Sequence, residues 1–150
     1  MLVWFDTEFI DAPPGLHVLS VGLVRADGAE YYAEIAETDR AMASDWVRGN
    51  VLSKMRGPVK PRTQVAVELA AFCGDDPEFW AHCASHDWVA LCNIFGGMMS
   101  LPNGWPSYVR DTRCLMDEKG AWWDDAHGDN HHAMSDARWV RETWLKLRAL

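Results

Sequence analysis

The sequence predicts an α/β domain with a mixed β-sheet flanked by helices, and three observations carry that prediction. Three strand-like segments come first and have antiparallel character. Strand-like and helix-like segments then alternate along the rest of the chain. Finally, Ala133, Ala137, Val140, Trp144 and Leu147 recur at steps of 4, 3, 4 and 3, one continuous helical stripe. At roughly 100–200 residues per domain, residues 1–150 read as a single domain with one core.

The elements follow in order. Leu2 to Glu8, LVWFDTE, reads as a buried strand whose β-branched and aromatic residues lead into two carboxylates. Pro13-Pro14-Gly15 is a turn. His17 to Arg25 and Glu30 to Ile35 are strands joined through Asp27-Gly28, a hairpin signal. Ala41 to Met55 is helical in part, and Gly57-Pro58 breaks it. Thr63 is placed to cap a helix over Gln64 to Cys73, which Gly74 closes. Glu78 to Cys83 is a short strand, and Ser85 is placed to cap a helix from His86 to Phe95, ended by Gly96-Gly97. Beyond a loop over Leu101 to Pro106, Tyr108 to Arg110 is a short strand and Thr112 to Glu118 a helix. Gly120 to Asn130 is a polar, Asp-rich loop before the last helix.

Composition narrows the function. The chain has 14 Lys and Arg against 22 Asp and Glu, a formal charge of −8. A protein that coats nucleic acid nonspecifically needs the opposite balance. An enzyme that meets phosphate through a divalent metal does not. No apolar run approaches the ~18–20 residues of a membrane span, and the N-terminus lacks a basic stretch followed by an apolar core. Cys73, Cys83, Cys92 and Cys114 form no CxxC pair, which excludes a zinc ribbon and gives no disulfide framework. Reduced thiols in a cytoplasm are the expectation. Between Trp46 and Val67 stand Arg48, Lys54, Arg56, Lys60 and Arg62, with no acid among them. That strip reads as a solvated loop face, a phosphate-tracking surface or a subunit contact.

Three groups of residues carry chemistry. Asp6 and Glu8 are two apart on a strand, so both side chains project from one face. Two carboxylates there repel unless a cation joins them, and all-oxygen ligands suit Mg²⁺ or Mn²⁺. If the strand has already ended, both are simply solvated acids. Asp87 begins a helix just after a strand, at the sheet edge where ligands bind. An Asp in a first helical turn is also good dipole chemistry without any ligand. In His131-His132-Ala133-Met134-Ser135-Asp136, five helical residues turn through about 500°, so His131 and Asp136 could not share a face of one helix. They can converge if His131 lies on the preceding loop and Asp136 points in from the first turns. Cys83 beside His82 has no third group to orient it, so nucleophilic catalysis is not expected.

These pieces together resemble the DEDDh 3′–5′ exonucleases of the ribonuclease H-like fold. Those enzymes carry D-x-E in a first strand, a middle Asp beginning a helix and H-x4-D near the end. Here the matching residues are Asp6, Glu8, Asp87, His131 and Asp136 in the same order, and the H-x4-D spacing selects His131 over His132. The stretches DTEFI, SVGLVRADGAEYYAEI, SDWVRGNVL, HDWVALCNIFGGMMSLP and HAMSDAR are most similar to the small bacterial and phage exoribonuclease AS group, along essentially the whole chain.

The resemblance implies a 3′–5′ exoribonuclease acting on single strands or 3′ overhangs of RNA and releasing 5′-nucleoside monophosphates. It implies two ions, Mg²⁺ or Mn²⁺, on Asp6, Glu8, Asp87 and Asp136, with His131 as general base. It also implies a homodimer. Phe9, Ile10 and His82 are the expected substrate contacts, Phe9 as a stacking platform or else as core. Many members have His-Asn before the middle Asp; this chain has His82-Cys83 and lacks the Asn contact. Trp122-Trp123 could cover the terminal nucleotide or pack at a subunit contact. The competing readings are the same chemistry on DNA, and a silent module that binds nucleotide without turnover.

Overall fold

The computed structural model describes residues 1–122 and 129–150. Trp123 and the centre of the Asp-rich loop lie outside the described residues. The sheet is built from β1 (Leu2–Ala12), β2 (Gly15–Arg25), β3 (Glu30–Ile35), β4 (Val59–Lys60), β5 (Glu78–Ala81) and β6 (Arg110–Asp111). Their spatial order is β4-β3-β2-β1-β5-β6. The β1–β2 and β2–β3 pairs are antiparallel, while β1–β5, β3–β4 and β5–β6 are parallel. The expected α/β architecture with a mixed sheet is therefore what the chain adopts.

Helices α1 (Asp45–Asn50), α2 (Arg62–Cys73), α3 (Ser85–Ile94), α4 (Thr112–Lys119) and α5 (Ala133–Ala149) complete the fold. On one sheet face, Val3, Phe5, Val21 and Leu23 pack with Val65 and Leu69 of α2 and Leu91 and Ile94 of α3. On the other, Trp4, Val24 and Trp80 meet Val140 and Ala137 of α5. The central strands are thus covered on both faces. The predicted α5 stripe is buried at Ala133, Ala137, Val140 and Leu147.

Several local expectations change. β1 and β2 run longer than their apolar cores, to the tight Pro13-Pro14 turn. Val59–Lys60 is a strand too short to leave a sequence pattern. The stretch from Ala41 to Met55 is a 3₁₀ turn at Arg40–Met42, the short α1 and a second 3₁₀ turn at Leu52–Lys54. Thr63 does not cap α2. The helix starts earlier, and the Glu37 carboxylate accepts the Arg62 N–H instead. Ser85 does not cap α3 either. The Asp111 carboxylate reaches across from β6 and accepts the N–H groups of Cys83 and Ala84. Both caps come from residues distant in sequence, which local spacing cannot reveal.

One register detail places the site. Asp6 on β1 pairs with Gly22 on β2. A Cβ on Gly22 would lie 2.4 Å from the Ala133 carbonyl oxygen, so only glycine lets the start of α5 settle directly on the sheet there. The first turns of α5, with Asp136, are thereby held beside Asp6.

Candidate active site

Asp6 and Glu8 lie on the α5 side of β1, and the Thr7 side chain between them points to the other face. There Thr7 donates twice to Asp87 Oδ1, from its N–H at 2.9 Å and its hydroxyl at 2.6 Å. This clamp ties the first turn of α3 to the strand. Among the described residues no hydrogen bond falls on Asp87 Oδ2, which keeps its lone pairs for a ligand. Carboxylate oxygens of Asp6, Glu8 and Asp136 all lie within 4.8 Å of one another. Asp87 stands outside that trio but lines the same cleft, of about 270 Å³, with Phe9, Trp46, Val47, Val51 and His131.

His131 is on the loop before α5, as the five-residue spacing requires, and its N–H donates to Asp136 Oδ2 at 2.9 Å. Its φ is 65°, a left-handed conformation that costs a non-glycine residue about 1 kcal/mol or more. His132, its neighbour, turns away and stacks on Tyr32 with ring centroids 4.7 Å apart.

The electrostatics are those of crowded acids. Burial, then repulsion from Asp87, Glu8 and Asp136, holds the Asp6 carboxyl well above the usual carboxylate range. Burial pushes Glu8 up to about 8, with repulsion from Asp136 and Asp87 adding to it and the Lys54 charge opposing it. Asp87 is pushed up to about 6 by burial, against its two Thr7 hydrogen bonds. As anions these groups are stable together only around positive charge, and an all-oxygen donor set fits a hard divalent cation. The residues present therefore fit such an ion.

The expected substrate residues separate. Phe9 lines the cleft and stacks on His86, with centroids 5.8 Å apart. His82 lines an adjoining hollow with Asp6, His131, Asp136 and Trp139. Ile10 is corrected: its side chain is 3% exposed and packs in a core cluster with Leu19, Val51 and Met55. Only its main chain is available there, because Val51 and Met55 cover the side chain on the face it shares with Asp6 and Glu8. Three participants were not singled out from sequence: Thr7, Trp46 and Lys54. Thr7 stood inside the D-x-E, and Lys54 inside the acid-free strip. A larger groove of about 640 Å³ lies elsewhere, along Leu2, Trp80, Arg110 and Trp144. It lacks a comparable carboxylate trio among the described residues.

Residues 1–147 match the family model of the 3′-5′ exoribonuclease Rv2179c-like domain. The chain belongs to this family. Two Mycobacterium tuberculosis relatives, 3′-5′ exoribonuclease Rv2179c of strain H37Rv and 3′-5′ exoribonuclease MT2234.1 of strain CDC 1551, are each 36% identical over 147 residues. Each match covers 92% of this chain and 88% of the relative. Among solved structures, the zinc-bound form of Escherichia coli ExoI in complex with single-stranded DNA superposes with a TM-score of 0.64 at 13% identity. It matches 98% of this chain, which spans 40% of that one, and it bears on the fold alone. The family and the shared exonuclease fold agree with the resemblance drawn from the D-x-E, middle Asp and H-x4-D residues.

Proposed function

We propose that this chain, as one domain over residues 1–150, trims RNA from its 3′ end and releases 5′-nucleoside monophosphates. The observation that carries the reading is the convergence of the Asp6, Glu8 and Asp136 carboxylates on one cleft with Asp87 and His131. Asp6, Glu8, Asp87 and Asp136 would hold two ions, Mg²⁺ or Mn²⁺. When bound, such ions neutralise the carboxylates, polarise the scissile phosphate and make water a better nucleophile.

The chain's own residues do the rest. Thr7 fixes one oxygen of Asp87, so that carboxylate meets a ligand with little reorganisation. His131 takes the proton of the attacking water on an imidazole nitrogen, the ordinary task of a histidine general base. Phe9 offers an aromatic surface to the terminal nucleoside, a contact that tolerates any base. His82 lines the adjoining hollow, and the Ile10 main chain is the remaining contact proposed for the 3′ end. A homodimer completes the reading. Its support is the sequence resemblance, together with exposed apolar side chains such as Trp46 and Met99. No helix among the described residues is long and apolar enough to cross a membrane, and a cytoplasmic setting rests on a cysteine spacing that gives no disulfide framework.

Labelled RNA and DNA with matched 3′ overhangs, incubated with Mg²⁺ or Mn²⁺, test the reading directly. RNA shortening from the 3′ end to mononucleotides, abolished by a chelator, is expected. Faster loss of DNA would move the substrate to deoxyribonucleic acid, and binding of either without shortening would leave only a nucleotide-binding module.

A further inference from the structure

A non-glycine residue keeps a left-handed backbone only where its surroundings over-determine it. At His131 four contacts do so. Its N–H donates to Asp136, and His132 after it stacks on Tyr32. The carbonyl of Asn130 before it accepts from Lys54 Nζ. The His131 imidazole itself meets the Trp46 indole at 4.9 Å between centroids and 76° between planes. The last two contacts come from one short stretch, α1 and the 3₁₀ turn after it.

That stretch is anchored away from the cleft. Glu34 on β3, 2% exposed, accepts the Gly57 N–H at 2.7 Å and pairs with Arg40 at 3.0 Å. One buried carboxylate thus ties down both ends of the segment. Gly57 also lies so close to Tyr32 that a Cβ would be 2.0 Å from its ring, which joins the segment to the His132 stack. Between these ends, Val47, Val51 and Met55 pack against Ile10 and Leu19. The other cations of the acid-free strip are engaged in the fold: Arg48 with the Ala41 and Ala43 carbonyls, Arg56 with the Met55 carbonyl, Lys60 with Glu68, Arg62 with the Asn93 and Ile94 carbonyls.

We infer that Trp46 and Lys54 are positioning residues, which hold the His131 turn so that its imidazole faces the carboxylate cleft. The strap from Arg40 to Gly57 exists to present them. This rests on the reading of His131 as general base, since Trp46 then acts through His131 and not on the substrate.

The test is a double-variant cycle on a short RNA with Mn²⁺. Trp46→Ala, Trp46→Phe and Lys54→Met are each made alone and together with His131→Ala. Trp46→Ala and Lys54→Met are expected to lower kcat roughly 10- to 100-fold, the scale of a small misplacement, with KM within about threefold. Trp46→Phe keeps an aromatic edge against the imidazole and should restore most of the rate. In the His131→Ala background neither change should lower kcat further. Calorimetric Mn²⁺ affinity of Trp46→Ala should equal that of the unaltered chain. A raised KM with kcat intact would make Trp46 part of the substrate wall and overturn the inference. Multiplying losses in the double variants would overturn it too, because the residues would then act independently of His131. If His131→Ala alone keeps full rate, the base assignment falls, and the positioning role falls with it.

Discussion

β1 and α5 meet at two places, and the two contacts rest on opposite physics. Toward the start of β1, Trp4 is 2% exposed and packs edge-on against Trp144 at 5.2 Å, beside Val140 and Trp80. Burying a large apolar side chain in this way stabilises by about 1.5–3 kcal/mol. Two residues further along the same strand, Asp6 faces Glu8 and Asp136, and all three press carboxylates together in a half-buried cleft. The apolar contact stabilises what the acidic contact destabilises. Such an arrangement makes sense only if the acidic end is kept for chemistry and the apolar end keeps α5 from lifting away.

The largest effects should come from changing either end. Asp6→Asn or Asp136→Asn should cost turnover on the order of 10³-fold or more, as loss of a group that stabilises the reacting charge does. Its melting temperature in chelator should equal or exceed that of the unaltered chain, because repulsion is relieved. Trp4→Ala should do the reverse, losing about 3–5 kcal/mol while the folded fraction keeps its kcat. Thermal melts in chelator beside single-turnover rates separate the two. An Asp6→Asn protein that melts lower would break the comparison. His131→Ala should lose 10²- to 10⁴-fold or thereabouts in rate and retain calorimetric metal binding, with His132→Ala costing far less.

Gly22 joins the two contacts, since it lets α5 reach the strand opposite Asp6. Gly22→Ala should cost about 1–3 kcal/mol through overpacking and should also slow turnover as Asp136 is displaced. A variant that melts early but turns over normally would show that α5 can shift without moving Asp136.

The acidic end should also carry a pH signature. Glu8 is raised to about 8 and Asp87 to about 6, and Asp6 is raised as well. A group with a raised folded-state pKa gives its full stabilisation below its unfolded pKa and loses it as pH climbs through the folded value. The metal-free protein should therefore weaken from about pH 4.5 to pH 8. A loss of 2 kcal/mol would lower the melting temperature by about 4–8 °C. Glu8→Gln should flatten that slope, and saturating Mn²⁺ should reverse it, since the ion competes with the protons. Melts at pH 5 and pH 8 in chelator and in Mn²⁺ read this out. A flat metal-free profile would mean that the acids are better solvated than their burial indicates.

How much of this was legible in the sequence differs between the two ends. The α5 stripe and the β1 to β3 segments follow from apolar periodicity, a local signal that survives in one chain. Asp6 and Glu8 share a face by strand alternation alone, and the turn arithmetic put His131 on the preceding loop if it was to converge with Asp136. What could not be read depends on contacts distant in sequence. The Glu37 and Asp111 caps, the Thr7 clamp on Asp87 and the Lys54 bond to Asn130 each join elements far apart along the chain. Ile10 shows the converse: its position beside the motif implied substrate, but Leu19, Val51 and Met55 enclose its side chain in a core cluster.

The smallest expected effect is a control on location. Arg138 sits on α5 only two residues beyond Asp136, and it forms a forked ion pair with Glu30 of β3 at 2.6 and 2.8 Å. Its side chain is 54% exposed, so solvent and salt screen the pair heavily. Arg138→Ala should cost at most about 1 kcal/mol, and less at high salt. It should leave kcat and Mn²⁺ affinity unchanged, because neither Asp136 nor the Gly22 contact depends on it. Stability at low and high salt, with turnover measured alongside, checks both points. A large loss of rate would mean that the start of α5 is held from its outer face as well as by Gly22. The acidic contact would then rest on a surface ion pair, in addition to the buried apolar contact further along the helix.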